Sequence, residues 1–215
     1  MRMGLSVLLL GGVFAIVLNG QSGAPTDIHP QSLSRLPPVQ REQLNDEGKR
    51  IWDVIAGGRG MPATGPAPTS MYSPKIAEPI HVLNQYLRAT VVSPKYFELS
   101  ALLAAREIDQ HYEWSGHEPA GVRAGLDQAT IDVVRLNKDV TGLPEKDATV
   151  IRLGRALLRD RKVEPALWAK TVDLFGRQGA VEITAIIGDY VMVGLMLTAV
   201  DQQLPPGRPS TLPLR

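Results

Sequence analysis

Apolar residues recur at helical spacing along most of the sequence, and this periodicity constrains the fold more than any other feature. Ile76, Ile80, Leu83 and Leu87 follow one another at intervals of four, three and four residues, which places them on one face of an α-helix. Residues 145–161 show the same kind of pattern. No stretch alternates apolar and polar residues as a half-buried β-strand does. The sequence therefore predicts an all-α domain.

Further helices are predicted from start signals, stop signals and the spacing of apolar residues. Ser93 and Pro94 suit the cap and the first turn of a helix, and Gly125 suits the end of the helix that follows. The remaining predicted helices cover residues 40–55, 127–136, 166–175 and 180–200. Residues 57–70 are rich in glycine and proline, which predicts a loop that could close over a pocket.

The first residues resemble a secretory signal. Arg2 precedes an apolar run from Leu5 to Leu18, and small and polar residues follow it up to Ser22. The run is shorter than the roughly 20 residues that span a membrane, so a signal peptide at residues 1–22, cleaved after Ser22, is the favoured interpretation. An uncleaved N-terminal anchor is the alternative. The prediction implies an exported protein, periplasmic or secreted.

The rest of the chain is predicted to form one domain with two extensions. With 215 residues, the length favours a single domain, which we place at residues 40–204. An extended segment at 23–39 precedes it, and a proline-rich tail at 205–215 without a fold of its own follows it. The stretch from Ala180 to Val200 is almost entirely apolar, which predicts a buried helix or an interface between subunits.

Composition excludes several classes of function. The chain has 23 basic and 22 acidic side chains, so no broad positive field favours nucleic acid as a partner. It has no cysteine, which excludes disulfides, thiolate metal sites and thiol peroxidase chemistry.

A cluster of polar residues between positions 98 and 117 provides the candidate site. Glu113 and His117 are four residues apart and share a helix face, and Glu98 lies on the preceding helix. We predict that these three residues are catalytic, with His117 exchanging a proton and a carboxylate orienting its ring. His111 is six residues from His117, which turns it about 240° around the helix axis. The two histidines therefore cannot chelate one metal from this helix.

Four further residues are candidates for contacting a substrate: Gln110, Trp114, Tyr190 and Arg106. Several of the candidate residues have an ordinary structural alternative. A glutamate and a histidine four residues apart commonly form a surface ion pair, Trp114 suits a core, and Tyr190 suits a buried phenol with a hydrogen-bond partner. A metal site formed by Glu98, Glu113 and His117 with a residue from elsewhere is a further possibility.

The segment from about Gln40 to Leu204 resembles the carboxymuconolactone decarboxylase and alkylhydroperoxidase D superfamily. The matching stretches are MYSPKIAEPIHVLNQYLR, SPKYFELSALLAAREIDQHYEW, the histidine at 117 with the AGL turn after it, and VEITAIIGDYVMVGLMLTAV. The resemblance implies an all-helical fold that assembles as trimers or hexamers. In the peroxidase branch the family's glutamate falls on Glu98, its two cysteines on Gln110 and Glu113, and its histidine on His117.

Because both cysteines are replaced, the resemblance favours the decarboxylase branch, which needs no cofactor. Such an enzyme releases carbon dioxide from an anionic lactone and moves a double bond, and His117 would deliver the proton to carbon. Two carboxylates would repel this substrate, so we expect Arg106 or Arg88 to point into the pocket. The alternative is a non-catalytic helical oligomer or binding module in which Glu98, Glu113 and His117 form a structural network.

Overall fold

The computed structural model describes residues 27–213, so the predicted signal segment at residues 1–22 lies outside the described part. Within this range the chain forms eight α-helices, α1 to α8: Asp46–Ala56, Pro66–Ser70, Pro74–Leu87, Pro94–Glu107, His111–Arg123, Gln128–Arg135, Glu145–Arg155 and Pro165–Ala199. The described residues contain no β-strand, only an isolated bridge between His29 and Ser34. The all-α prediction is confirmed.

Helix α4 lies at the centre of the fold. Every residue from Phe97 to Arg106 is buried, so the helix requires neighbours on all sides. It packs against α5, α6, α7 and α8, and the shared core consists mainly of aliphatic side chains, among them Leu99, Leu102, Leu103, Ile151, Ile183 and Ile186. Glu98 is a charged residue within this buried stretch. It lines the cavity described below.

A short turn joins α4 to α5 and sets their relative register. Asp109 adopts a left-handed conformation with φ of 52°, and the amide of Gln110 donates to the carbonyl of Ala105 at 2.8 Å. The side chain of Gln110 then accepts a hydrogen bond from the amide of Tyr112 at 2.9 Å and caps α5. The returning helix packs against α4, and Pro119 lies inside it without ending it.

Helix α8 combines two segments that the sequence predicts separately. At Gly176 the backbone leaves helical geometry, with φ of 71° and ψ of 169°, a conformation that favours glycine. Length and hydropathy alone would allow α8 to cross a membrane, since an 18-residue window has a mean hydropathy of 1.7. Core helices meet the same criteria, and 56% of this window is buried inside the fold.

The predicted loop at residues 57–70 is partly helical. It contains a 3₁₀ turn at Gly57–Arg59 and helix α2 at Pro66–Ser70, which begins with proline in its first turn. Five residues are too few for helical periodicity to be visible in the sequence. Helix α2 contacts α3 and α8, so this segment forms part of the wall of the cavity described below.

The proline-rich tail has no helix or strand up to residue 213, but it packs against the domain. Leu212 is 4% exposed and belongs to the hydrophobic core. The hydroxyl of Thr211 accepts a hydrogen bond from the indole of Trp114 at 2.9 Å. The tail therefore lies along α5, next to the polar residues that the sequence analysis singles out.

Candidate active site

A cavity of about 420 Å³ lies between α1, α2, α3, α4, α5, α8 and the tail. This volume is in the range of sites for small molecules. Apolar side chains such as Ile55, Ile80 and Val193 form part of its wall. The polar side chains of the wall are Ser70, His81, Asn84, Arg88, Glu98, Tyr112, Glu113, His117, Tyr190 and Arg208.

Three of the predicted residues, Glu98, Glu113 and His117, converge on this cavity. The Nδ1 atom of His117 lies 2.6 Å from Oε2 of Glu98, and Nε2 lies 3.4 Å from Oε2 of Glu113. All three are less than a tenth exposed. The imidazole ring is thus held between two carboxylates, one from α4 and one from the preceding turn of α5.

Both ring nitrogens face acceptors, which favours the charged form of the imidazole. A neutral ring has one N–H group, whereas an imidazolium can donate to both glutamates. Burial, the largest single influence, lowers the pKa of His117, but the hydrogen bonds and charges of Glu113 and Glu98 outweigh it and hold the pKa above its usual value of 6.5. His117 is therefore suited to donate a proton at neutral pH.

Glu113 has one oxygen without a partner. Its Oε1 atom is buried, and no described residue forms a hydrogen bond with it. Leaving a buried charged oxygen unsatisfied is costly, and such exceptions call for an explanation. Because Glu113 lines the cavity, a ligand that donates a hydrogen bond or gives up a proton would supply the missing partner.

Tyr190 from α8 stands against the imidazole. Its ring centroid lies 4.6 Å from that of His117 in an edge-to-face arrangement. The phenolic oxygen accepts hydrogen bonds from Nη2 of Arg88 at 2.9 Å and from Nδ2 of Asn84 at 3.4 Å. Burial, the largest influence, raises the pKa of Tyr190. The phenol therefore keeps its proton at neutral pH and can donate it in a hydrogen bond to a ligand.

Arg88 places a positive charge beside the two carboxylates. Its Nη1 atom lies 3.9 Å from Oε1 of Glu98, and its Nε atom donates to Oδ1 of Asn84 at 2.9 Å. The guanidinium also stacks on the ring of Phe97, with Cζ 4.6 Å from the ring centroid. Of the two arginines expected to point into the pocket, Arg88 lines it and Arg106 does not.

Arg106 is a structural residue. Its Nε atom donates to the carbonyl of Arg135 at 2.8 Å, and its Nη1 atom pairs with Asp109. These contacts hold the C-terminal end of α4 against α6. A substrate contact for Arg106 is therefore excluded for the cavity at Glu98, because its side chain is buried at the other end of the helix.

Gln110 and Trp114 also lie outside the wall of the cavity. Besides capping α5, Gln110 donates through Nε2 to the hydroxyl of Thr198 at 2.9 Å. Trp114 is fully buried in the core, and its indole points to the tail. Both side chains have their polar groups satisfied by the protein, and the positions give them structural roles.

Two features of the wall were not recognised in the sequence: the polar stripe of α3, of which only Arg88 was expected in the pocket, and the arginine of the tail. His81, Asn84 and Arg88 on α3 are spaced by three and four residues, so they share a polar stripe beside the apolar face of that helix. This spacing could have been recognised. Arg208 lies in the proline-rich tail, where no periodicity reveals which side chain faces the domain.

No three histidine, aspartate or glutamate side chains in residues 27–213 are grouped in a way that could hold a metal ion. The carboxylates of Glu98 and Glu113 approach opposite nitrogens of one imidazole. In this arrangement the ring itself occupies the space between the two carboxylates.

The arrangement of helices around α4 is an all-helical, AhpD-like fold that the chain shares with several solved structures. Among the similar structures is the debrominase Bmp8. Its cysteine-to-alanine variant in complex with 2,3,4-tribromopyrrole has a TM-score of 0.60 at 15% sequence identity, over 79% of the present chain and 91% of Bmp8. The apo form has a TM-score of 0.59 at 15% identity, over 81% and 92% of the two chains.

A protein of unknown function from Agrobacterium tumefaciens that carries the name of the antioxidant defence protein AhpD is also similar. Its TM-score is 0.57 at 15% identity, over 63% of the present chain and 94% of the other. No family model and no curated protein sequence matches the chain. At this level of identity the comparisons establish the fold, which confirms the fold predicted from the sequence.

Proposed function

We propose that this protein is a cofactor-free enzyme that transfers protons to and from carbon in a small lactone or organic acid, as a lyase or an isomerase. The observation that carries the proposal is the imidazole of His117, held between two carboxylates in the wall of a cavity of about 420 Å³. Polar and charged groups converge there from five helices and the tail, which is the arrangement expected of an active site.

In a decarboxylation, the bond between a carbon atom and its carboxylate breaks and carbon dioxide leaves. The bonding electrons move into the neighbouring unsaturated carbonyl system, which becomes an enolate. The Tyr190 hydroxyl and the Arg88 guanidinium line the same cavity and would stabilise the negative charge that develops on oxygen. The imidazolium of His117 would then give its proton to carbon.

In an isomerisation, a base must first remove a proton from carbon. The unpartnered Oε1 of Glu113 is an acceptor available for this step. His117 would return a proton at another carbon, and transfer between the ring and Glu113 would restore the starting state. Both reactions use His117 as the proton donor to carbon, and neither consumes an oxidant or a reductant.

Thiol chemistry is not proposed. The debrominase Bmp8 was crystallised with 2,3,4-tribromopyrrole as a variant lacking one cysteine, whereas the present chain has no cysteine at all. A thiolate peroxidase mechanism lacks both its nucleophile and its resolving partner here.

The proposal is tested by hydrogen exchange at carbon. γ-Lactones that carry a carboxylate, saturated and unsaturated, are incubated with the protein in deuterium oxide, and loss of C–H signals and release of carbon dioxide are followed. We expect His117→Gln to lower the rate by at least about a hundredfold. Arg123→Gln, an exposed substitution on the same helix, serves as the control and should retain the wild-type rate. A wild-type rate in the His117 variant would refute the proposal.

A non-catalytic binding module is the second candidate, because both nitrogens of the His117 ring already have protein partners. In that case His117→Ala would mainly cost stability, by about 1–3 kcal/mol, because it removes a buried partner of two carboxylates. Absence of turnover by the wild-type protein over the whole panel, together with this loss of stability, would favour the module.

We also propose that the protein assembles into a homo-oligomer. Side chains on the outer faces of α3 and α8 are apolar and exposed: Val82, Leu83, Tyr86, Val181, Met192 and Leu195. The two helices contact each other, and the hydroxyl of Tyr86 donates to Glu182 at 2.7 Å, so these faces adjoin. Exposed apolar patches of this kind are typical of protein interfaces.

A further inference from the structure

The tail supplies the cavity with a positive charge that no carboxylate of the domain neutralises. Arg208 lines the cavity, although it lies in a segment without helix or strand. No described acidic side chain lies within ion-pair distance of its guanidinium. Arg88, by comparison, lies 3.9 Å from Glu98. Arg208 is thus the more available of the two guanidinium groups for an anion.

The guanidinium of Arg208 is fixed in place by neutral groups. Its Nε atom donates to the hydroxyl of Ser115 at 2.8 Å, and its Nη2 atom donates to the carbonyl of Tyr112 at 2.7 Å. Its Cζ atom lies 4.3 Å from the centroid of the Tyr112 ring. These contacts restrict the side chain, which lowers the entropic cost of binding a ligand, and they leave its full charge in place.

One side of the guanidinium remains available. Among the residues that the structure describes, none accepts a hydrogen bond from Nη1 of Arg208. The group also lies close to the backbone beside His117, because a Cβ atom built on Gly116 would be 3.4 Å from Nη2. Arg208 and His117 line the same cavity, so one ligand in the cavity can contact both side chains.

The net charge of the cavity wall also favours an anionic ligand. Two carboxylates, one imidazolium and two guanidinium groups face it, which leaves one net positive charge when His117 is protonated. Such a cavity accommodates one anionic group on the ligand. Arginine is well suited to bind a carboxylate, since its parallel N–H groups match the two oxygens.

We infer that Arg208 is the carboxylate anchor of the cavity, so that the C-terminal tail selects small monocarboxylates over uncharged analogues. This inference rests on the proposed function, which requires a small lactone or organic acid in the same cavity. It assigns the choice of substrate to the tail and the proton transfer to α4 and α5, two roles that experiment can separate.

The test compares binding of two probes of nearly the same shape, one anionic and one neutral: γ-butyrolactone-γ-carboxylate and its carboxamide. Affinities are measured by titration calorimetry on the full folded chain. We expect wild type to prefer the carboxylate by at least about tenfold, and Arg208→Gln to lose about tenfold of that preference, close to 1.4 kcal/mol. Arg123→Gln removes an equal charge from the exposed part of α5 and should keep the wild-type preference.

Melting curves verify that each variant is folded at the assay temperature. Should Arg208→Gln be too unstable, Arg208→Met retains the long side chain over Tyr112 and takes its place. Equal binding of both probes by wild type, an unchanged preference in the Arg208 variant, or the same loss in Arg123→Gln would each overturn the inference. A merely structural tail would lower the affinity for both probes alike and leave their ratio unchanged.

The outcome is independent of the test of catalysis. His117→Gln removes one positive charge from the cavity and should weaken the preference for the carboxylate, but adding Arg208→Gln to this variant should lower the preference further, as it does in the wild type. If no exchange at carbon is found but Arg208→Gln still lowers the preference for the carboxylate, the protein is a carboxylate-binding module and not an enzyme of the proposed kind. If exchange depends on His117 but the Arg208 substitution has no effect, the proposed enzymatic function stands and the proposed role of Arg208 is refuted.

Discussion

His117 has two acceptors for its two nitrogens, and this single feature connects protonation with stability. The contacts of 2.6 Å to Glu98 and 3.4 Å to Glu113 both favour the imidazolium. Because the pKa of His117 is raised in the folded protein, the folded state binds a proton more strongly than the unfolded state. The same arrangement that prepares an acid for catalysis therefore stabilises the protein as long as the ring is charged.

The free energy of unfolding should therefore fall as the pH rises through the folded pKa of His117. The contribution is fully present below about 6.5, the pKa of an unfolded histidine, and is lost above the raised folded value. Its greatest slope is about 1.4 kcal/mol per pH unit for one proton. Urea unfolding between pH 6 and pH 9 measures it, and the His117→Gln variant should lack this part of the slope. Parallel curves for the two proteins would contradict the linkage.

The candidate residues that the structure brings together are those whose partners lie close by or at helical spacing. Glu113 and His117 share a helix face because they are four residues apart, and the turn at Asp109 returns α5 along α4 towards Glu98. Arg106 could not be placed in this way. It is at an equally plausible position on α4, and only the path of α6 shows that its partner is the carbonyl of Arg135.

At the scale of helices, close packing explains why some positions are glycine. A Cβ atom built on Gly154 of α7 would lie 2.0 Å from Cδ2 and 2.9 Å from Cγ of Leu103, a buried residue of α4. The absence of a side chain thus lets α7 approach the central helix. Gly188 on α8 lies in open space, with no atom within 4 Å of a built Cβ.

These two glycines provide a matched pair of substitutions. Gly188→Ala should stabilise the monomeric chain by about 0.5–1 kcal/mol, because alanine is the better helix former and the added Cβ atom meets no atom of the described part of the same chain. Gly154→Ala gains the same amount but forces Leu103 to move, at a cost of about 1–3 kcal/mol for overpacking, so it should be destabilising on balance. Denaturant unfolding measures the free energy of unfolding of both variants relative to the wild type. A stabilised Gly154→Ala would mean that α4 and α7 are packed less closely than the structure indicates.

The helices and their ends were largely predictable, whereas the irregular segments were not. Ser93 and Pro94 predict the start of α4, and the spacing of apolar residues in α3 predicts the buried face of that helix. Helix α2 is too short to show a periodic spacing of apolar residues, and the tail shows no such spacing. What places Arg208 in the cavity is a set of distant contacts, among them the buried Leu212 and the bond between Trp114 and Thr211, which no local pattern encodes.

At the scale of the whole molecule, the described fold leaves a continuous apolar face uncovered. Val181 is 60% exposed, Leu195 56% and Val82 58%. Along α8 the exposed positions 181, 188, 192 and 195 recur at helical spacing, so they lie on the side that turns away from α4. Helix α8 is thus apolar both towards the core and on its outer side, and the outer side is where we propose that a second copy of the chain binds.

Substitution of one residue in this face should dissociate the proposed oligomer. Val181→Lys places a charge where two copies would exclude water, and burying an unpaired charge is costly. We expect wild type to elute as an oligomer in size-exclusion chromatography with light scattering, and Val181→Lys to shift towards the monomer. Leu136→Lys, at an apolar residue 44% exposed at the end of α6, is the control. A monomeric wild type, or equal dissociation by the control, would place the assembly surface elsewhere or exclude it.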